Sequence, residues 1–269
     1  PVDSLLLMRE NRATRRYDYI DVAAFRQVLV GKMRAKGTSV EPSRLYRDFV
    51  VILFLIGNDF LPHLSAFHDV GASIEALIRC YVANGQYLTD EQGIIWSNMK
   101  GFLRYLAGIE MEMLKEQAAI EYTTDYSILL NHVQRRKLQA TASRYEVTNF
   151  DFNAYRQAWY TRALPYSTDL ATDGDSMCSQ FMFQMEWVLG YYLRKDVSHI
   201  LAYPYAFAPL IIDLYRVVSG FESMATPSID PFAGFHNVMT RPGDTPPSII
   251  VQLLSVIPPR MANLLPKPF

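Results

Sequence analysis

The residues best equipped to ligate a metal or attack a substrate are five histidines, His63, His68, His132, His199 and His236, and two cysteines, Cys80 and Cys178. Their spacing excludes the common chemistries. No HExxH and no CxxC occurs, so neither a self-contained zinc site nor a disulfide framework is signalled. GxGxxG, GxxxxGK[ST] and GxSxG are missing too, which removes the glycine loops that cradle phosphates and the serine-hydrolase elbow. What remains is a carboxylate at a turn, because Gly57-Asn58-Asp59 follows the apolar run Phe49 to Ile56. Taken alone, Asp59 is a turn or N-cap residue, since Asn-Asp after Gly is ordinary turn chemistry. Arg9, Arg12, Arg15 and Arg16 form a second group, either a contact for phosphates or a solvated face, and charge alone favours the solvated face.

The elements that must position these residues are mostly helical. Ile20, Val22, Phe25, Val28 and Leu29 recur at helical spacing with Asp21 as N-cap, after an apolar stretch Leu5 to Met8 and a basic loop. Lys36 to Ser39 reads as a loop, and Leu45 through Ile56 as a buried element whose periodicity fits helix or strand. Ile74 to Tyr81 suits a short helix ending near Asn84-Gly85, and Met99, Phe102, Leu103, Leu106, Ile109 and Met113 mark one face of a longer one. Further helices are expected over Phe150 to Thr161, Phe181 to Leu193 and Leu210 to Val218, with prolines 204 and 209 breaking the chain between the last two. Thr168 to Ser176, rich in Asp, Thr and Gly, reads as an exposed loop. A Pro-rich tail, residues 225–269, carries one helix-like run at Ile249 to Val256.

Composition bounds the class. The 269 residues are 50% hydrophobic and 20% charged, enough to bury a core, and the eight-residue apolar run is far short of a membrane span. The formal net charge of -1 hides an asymmetry, with ten Lys/Arg against six Asp/Glu in residues 1–50. A protein that captures nucleic acid unaided usually carries a stronger basic excess, so this chain would share such a task. Two isolated cysteines fit a reducing compartment.

One long motif goes further. Asp48-Phe-Val-Val-Ile-Leu-Phe-Leu-Ile-Gly-Asn-Asp-Phe-Leu-Pro-His-Leu64 resembles the signature of the Xrn-type 5′→3′ exoribonucleases, in which DF and an apolar stretch lead into GNDFLPHLP. The resemblance continues in order. Gly85 to Thr89 with Ile95-Trp96 resembles GYLT and I-x-W; Phe102-Leu103 to Glu112 resembles the FL..LA..E helix. Trp187-Val188-Leu189 with Tyr191-Tyr192 resembles WVL.YYY, Tyr203-Pro204-Tyr205 with Ala208-Pro209 resembles YPYHYAP, and Gln252-Leu253 to Pro258 with Leu265-Pro266 resembles QL..VLP and LLP.

The resemblance implies a fold that is mainly α with minor β, the helical second half of a PIN-like α/β nuclease core, spanning residues 1–269 with the Asp59 turn at 57–64. Both ends read as truncated, with the N-terminal half lying outside this sequence. It implies hydrolysis of RNA bearing a 5′-monophosphate, by Mg²⁺ or Mn²⁺ held in an acidic cluster, in a cytoplasmic or nuclear setting. Asp59 matches the last member of that cluster, as catalytic and metal-binding residue; the others belong to the N-terminal half, a partner in the same or a separate chain. Asn58 orients the turn, and His63 reads as structural. Where the family has S-W-S-W, this chain has Ser198-His-Ile-Leu-Ala, so His199 replaces one tryptophan as the candidate nucleic-acid contact and Leu201 the other. That departure sustains an alternative, a catalytically degenerate structural or RNA-binding module. A DNA-directed 5′ nuclease is a third reading, which the long motif argues against.

Overall fold

A computed structural model describes residues 5–34, 41–120, 127–138, 144–193, 198–199, 201–224, 245, 248–258 and 260–261. The fold is mainly α with minor β, as the sequence implies. It opens with an antiparallel hairpin, β1 (Leu6–Asn11) and β2 (Arg16–Asp21), followed by α1 (Val22–Met33), α2 (Pro42–Leu53) and a single 3₁₀ turn (Phe54–Ile56). Then come α3 (Val70–Asn84), α4 (Trp96–Ala118), α5 (Ser127–Asn131), a second hairpin of β3 (Val133–Lys137) and β4 (Tyr145–Phe150), α6 (Phe152–Ala163), α7 (Leu170–Leu193), α8 (Ile211–Met224) and α9 (Ile249–Val256).

Local chemistry explains where these helices start and stop. Asp21 caps α1 as expected, its carboxylate accepting from the amides of Ala23 at 2.8 Å and Ala24 at 3.1 Å. Asp69 and Asp151 do the same for α3 and α6. Gly85 ends α3 in the left-handed conformation at φ 66°, donating its amide to the Tyr81 carbonyl. The apolar segment that periodicity left undecided is α2: Pro42 begins it, and Leu45, Asp48, Val51 and Ile52 turn one buried stripe inward. The two longest helices form the frame, with α4 packed along α8 and α3, and α7 laid on α8. Phe102, Leu106 and Leu114 of α4 and Met177, Phe181 and Val188 of α7 are fully buried in one continuous core.

The structure corrects two expectations. Thr168 to Ser176 is not a loop, because Asp169 accepts from the amides of Ala171 and Thr172 and starts α7 at Leu170. Two acids in the following turns, Asp173 and Asp175, suit the positive end of a helix, so a stretch that looks like loop by composition is helical by position. The stretch from Leu5 is a strand hairpin rather than an apolar run and a loop, with all four basic residues Arg9, Arg12, Arg15 and Arg16 exposed on it. The acid that α4 buries is Glu110, whereas Glu112 is exposed and pairs with Lys115 at 2.7 Å. The reading of Lys36 to Ser39 and most of the Pro-rich tail lie outside the described residues. Among the described residues, no helix is long and apolar enough to cross a membrane.

Candidate functional site

The turn that carries Asp59 is anchored on both sides and open at its tip. Leu55, before it, and Leu61 and Leu64, after it, are fully buried. The backbone folds back on itself between them: the Gly57 amide donates to Phe54, Asn58 to the Leu61 carbonyl at 2.9 Å, and Leu64 to the Leu55 carbonyl at 3.0 Å. Asn58 closes the loop from inside, its Oδ1 accepting from the amides of Phe60 at 2.8 Å and Leu61 at 3.0 Å. This is an Asx turn closed by the Asn58 side chain. Gly57 makes the turn possible, because its φ of 96° lies where side chains are strained and a Cβ would meet the His63 nitrogen at 2.9 Å. The outcome is an exposed Asp59 carboxylate on a loop whose every neighbour is tied down.

Phe60 fixes that loop to the rest of the molecule. Its ring meets Trp187 edge-on at 4.9 Å and Tyr191 at 5.0 Å, and those two rings stack on each other at 5.5 Å with 5° between their planes. Trp187 donates its indole N–H to the Ser198 carbonyl at 2.8 Å. The contacts Phe60–Trp187–Ser198 therefore link the residue after Asp59 to the residue before His199. His199 is exposed, whereas Leu201 is only partly so and packs against the core. Tyr191 and Tyr192 are 45% and 47% exposed, which leaves aromatic surface at this edge that the sequence motif alone did not reveal as surface.

Three of the buried carboxylates, Asp48, Glu110 and Glu186, are each committed to the backbone or to neighbouring side chains. Asp48 accepts from Tyr81 at 2.7 Å, the Leu88 amide at 2.9 Å and Thr89 at 2.6 Å. Burial raises its pKa above the usual carboxylate value, with those donors opposing. Glu110 takes the amides of Ile211 at 2.7 Å and Ile212 at 2.9 Å at the start of α8; burial pushes its pKa up to about 7. Glu186 receives the Ile94 amide at 2.9 Å and the Trp96 indole at 3.0 Å. The signal that could have found the first of these is the DF pair that opens the long motif.

As to metal binding, an exposed carboxylate is a hard oxygen donor of the kind Mg²⁺ and Mn²⁺ take. Asp59 is one such donor. No group of three or more His, Cys, Asp or Glu residues is placed to hold a metal ion among the described residues. Among the described residues, the side chains thus do not make up a complete divalent-metal site.

Comparison with known proteins shows what parts of this chain are similar to. Residues 39–153, which include the Asp59 turn, match the family model described as the Xrn1 helical domain. The chain is 28% identical over 109 residues to 5'-3' exoribonuclease 2 of Arabidopsis thaliana, covering 39% of this chain and 11% of that protein. It is 22% identical over 277 residues to human 5'-3' exoribonuclease 1, covering 83% of this chain and 15% of the relative. Against 5'-3' exoribonuclease 1 of Saccharomyces cerevisiae the figures are 26% over 123 residues, 46% and 7%. The chain spans between 7% and 15% of the length of these relatives.

Proposed function

We infer the function from one premise, that the chain is related to the Xrn family of 5'-3' exoribonucleases. It contributes the helical part of an RNA-degrading enzyme that removes nucleotides from a 5′-monophosphorylated end. The observation that carries this reading is the Asp59 turn: an exposed carboxylate on a loop held by buried leucines, an Asx turn and an aromatic clamp. Such rigidity suits a group that must meet reactants at fixed distance. It is more than a surface turn needs.

In this reading Asp59 is one ligand of a Mg²⁺ or Mn²⁺ site completed by carboxylates of an N-terminal half. Bound metal ions would supply an activated water and stabilise the leaving oxygen. What this chain supplies is the presentation of one carboxylate, beside an edge where His199, Tyr191 and Tyr192 are exposed. Aromatic faces of that kind hold successive bases without regard to sequence. The buried thiols of Cys80 and Cys178 remain free, which agrees with a cytoplasmic or nuclear setting.

A second reading is favoured by one observation. Leu201 stands where the family carries a tryptophan and is packed against the core, so one stacking surface is gone, and a non-catalytic RNA-binding or structural module would tolerate that loss. An assay of the 269-residue chain on 5′-monophosphorylated RNA with Mg²⁺, with and without the acidic N-terminal half, tests the proposal. Digestion is expected only with both halves. Metal-dependent digestion by the chain alone would overturn the shared site, and no digestion by the complete protein would favour the module.

A further inference from the structure

Pro62, His63 and Ser65, just after Asp59, line part of a cavity of about 250 Å³ to whose walls Asp59 does not contribute. Its walls come from the end of α4, from α5 and α6, and from the segment around Phe207. Gln117, in the last turn of α4, is 7% exposed and lines it, yet its side-chain oxygen Oε1 accepts no hydrogen bond among the described residues. A buried acceptor without a donor is costly, and native structures rarely leave one unless a ligand or water completes it. Gln117 therefore brings an unpartnered acceptor to the cavity lining.

The rest of the lining narrows what would fit. Trp159 is fixed by donating its indole N–H to the Ala208 carbonyl at 3.0 Å, and Phe207 meets it edge-on at 5.3 Å and 84°. Tyr155, 1% exposed, closes the floor. Two basic groups stand at the exposed rim, the guanidinium of Arg162 and the imidazole of His63, whose Nδ1 lies 3.0 Å from the Leu64 carbonyl and leaves Nε2 facing away from that bond. Planar aromatic walls, the unpartnered Gln117 oxygen and the Arg162 guanidinium beside the His63 ring match a flat heterocycle that carries an N–H edge and an anionic tail. The volume lies just under the range of about 300 to 1,000 Å³ of drug-sized pockets, which is room for a base with its sugar and phosphate at the mouth.

We propose that this cavity binds a nucleoside monophosphate, the base against Trp159 with its amino edge on Gln117, the phosphate at Arg162 and His63. Asp59 is not part of the lining, and the proposal does not require that Asp59 be catalytic. An apolar side chain from another protein segment is a poorer occupant, because it would leave Gln117 without a donor.

Calorimetric titration of the complete protein with AMP, adenosine and inorganic phosphate tests the assignment. Saturable binding of AMP is expected, weaker for adenosine and not saturable for phosphate. Gln117→Leu, close in size and safe for folding, should weaken AMP at least tenfold. Arg162→Ala should bring AMP down to the affinity of adenosine while leaving adenosine unchanged. No saturable binding of AMP at millimolar concentration, or binding that neither substitution alters, would overturn the proposal. RNA digestion by the same preparations separates the two readings: digestion without nucleotide binding overturns only the pocket, and binding that both substitutions weaken, without digestion, supports the pocket while overturning only the nuclease.

Discussion

At residue 57 a Cβ has nowhere to go. Its nearest neighbour would be the His63 backbone nitrogen, 2.9 Å away, and the backbone there has φ 96°. Gly57→Ala therefore strains the turn by conformation and by contact together, and a loss of about 1–3 kcal/mol is expected in urea unfolding, with activity falling further than stability. A variant as stable and as active as the parent would mean that the turn is not rigid. The same residues show how the site could be read in advance. Gly57, Asn58 and Asp59 were legible as a turn from their types alone, and as a candidate site only from the length of the motif around them. The clamp of Phe60 between Trp187 and Tyr191 was not legible, because it joins residues more than a hundred positions apart through packing that no local pattern encodes.

At the scale of the element, α8 depends on a side chain from another helix. The first amides of any helix lack intrahelical partners, and two of those near the start of α8 are given to Glu110 of α4. Glu110→Ala leaves both buried donors unpaired and opens a cavity, so a loss of about 2–4 kcal/mol is expected by denaturant titration. The exposed Glu112 is the control, and Glu112→Ala should change stability by less than about 0.5 kcal/mol. Equal effects of the two would contradict the assignment of roles within α4. Helices such as α3 and α4 were legible from periodicity, because one apolar stripe against a polar face is a local signal, whereas α1 was legible from its Asp21 cap. The hairpin of β3 and β4 was not, since its strands alternate weakly and carry the run Arg135-Arg136-Lys137, and its pairing is set by contacts across the intervening loop. Nor was the start of α7, where Asp, Thr and Gly mark a loop by composition and a capped helix by position.

For the whole molecule, buried acids set a pH dependence. Burial raises Asp48 and takes Glu110 to about 7, so both bind a proton more tightly in the folded state than in the unfolded chain. Stability from these groups is complete below their unfolded values and is lost as the pH rises through the folded ones. The melting temperature should therefore fall between about pH 4.5 and 7, by up to roughly 3 kcal/mol in stability. In Glu110→Gln the slope over that window should flatten; an unchanged slope would place the proton elsewhere.

In the proposed function Asp59 is a ligand that the fold presents rather than a residue that holds the fold together. Turnover of 5′-monophosphorylated RNA by the complete protein carrying Asp59→Ala, measured alongside its thermal unfolding, tests this directly. The expected result is loss of activity by at least a hundredfold with the melting temperature within about 2 °C of the parent. Near-normal turnover by the variant, or lost activity that merely follows lost stability, would contradict it.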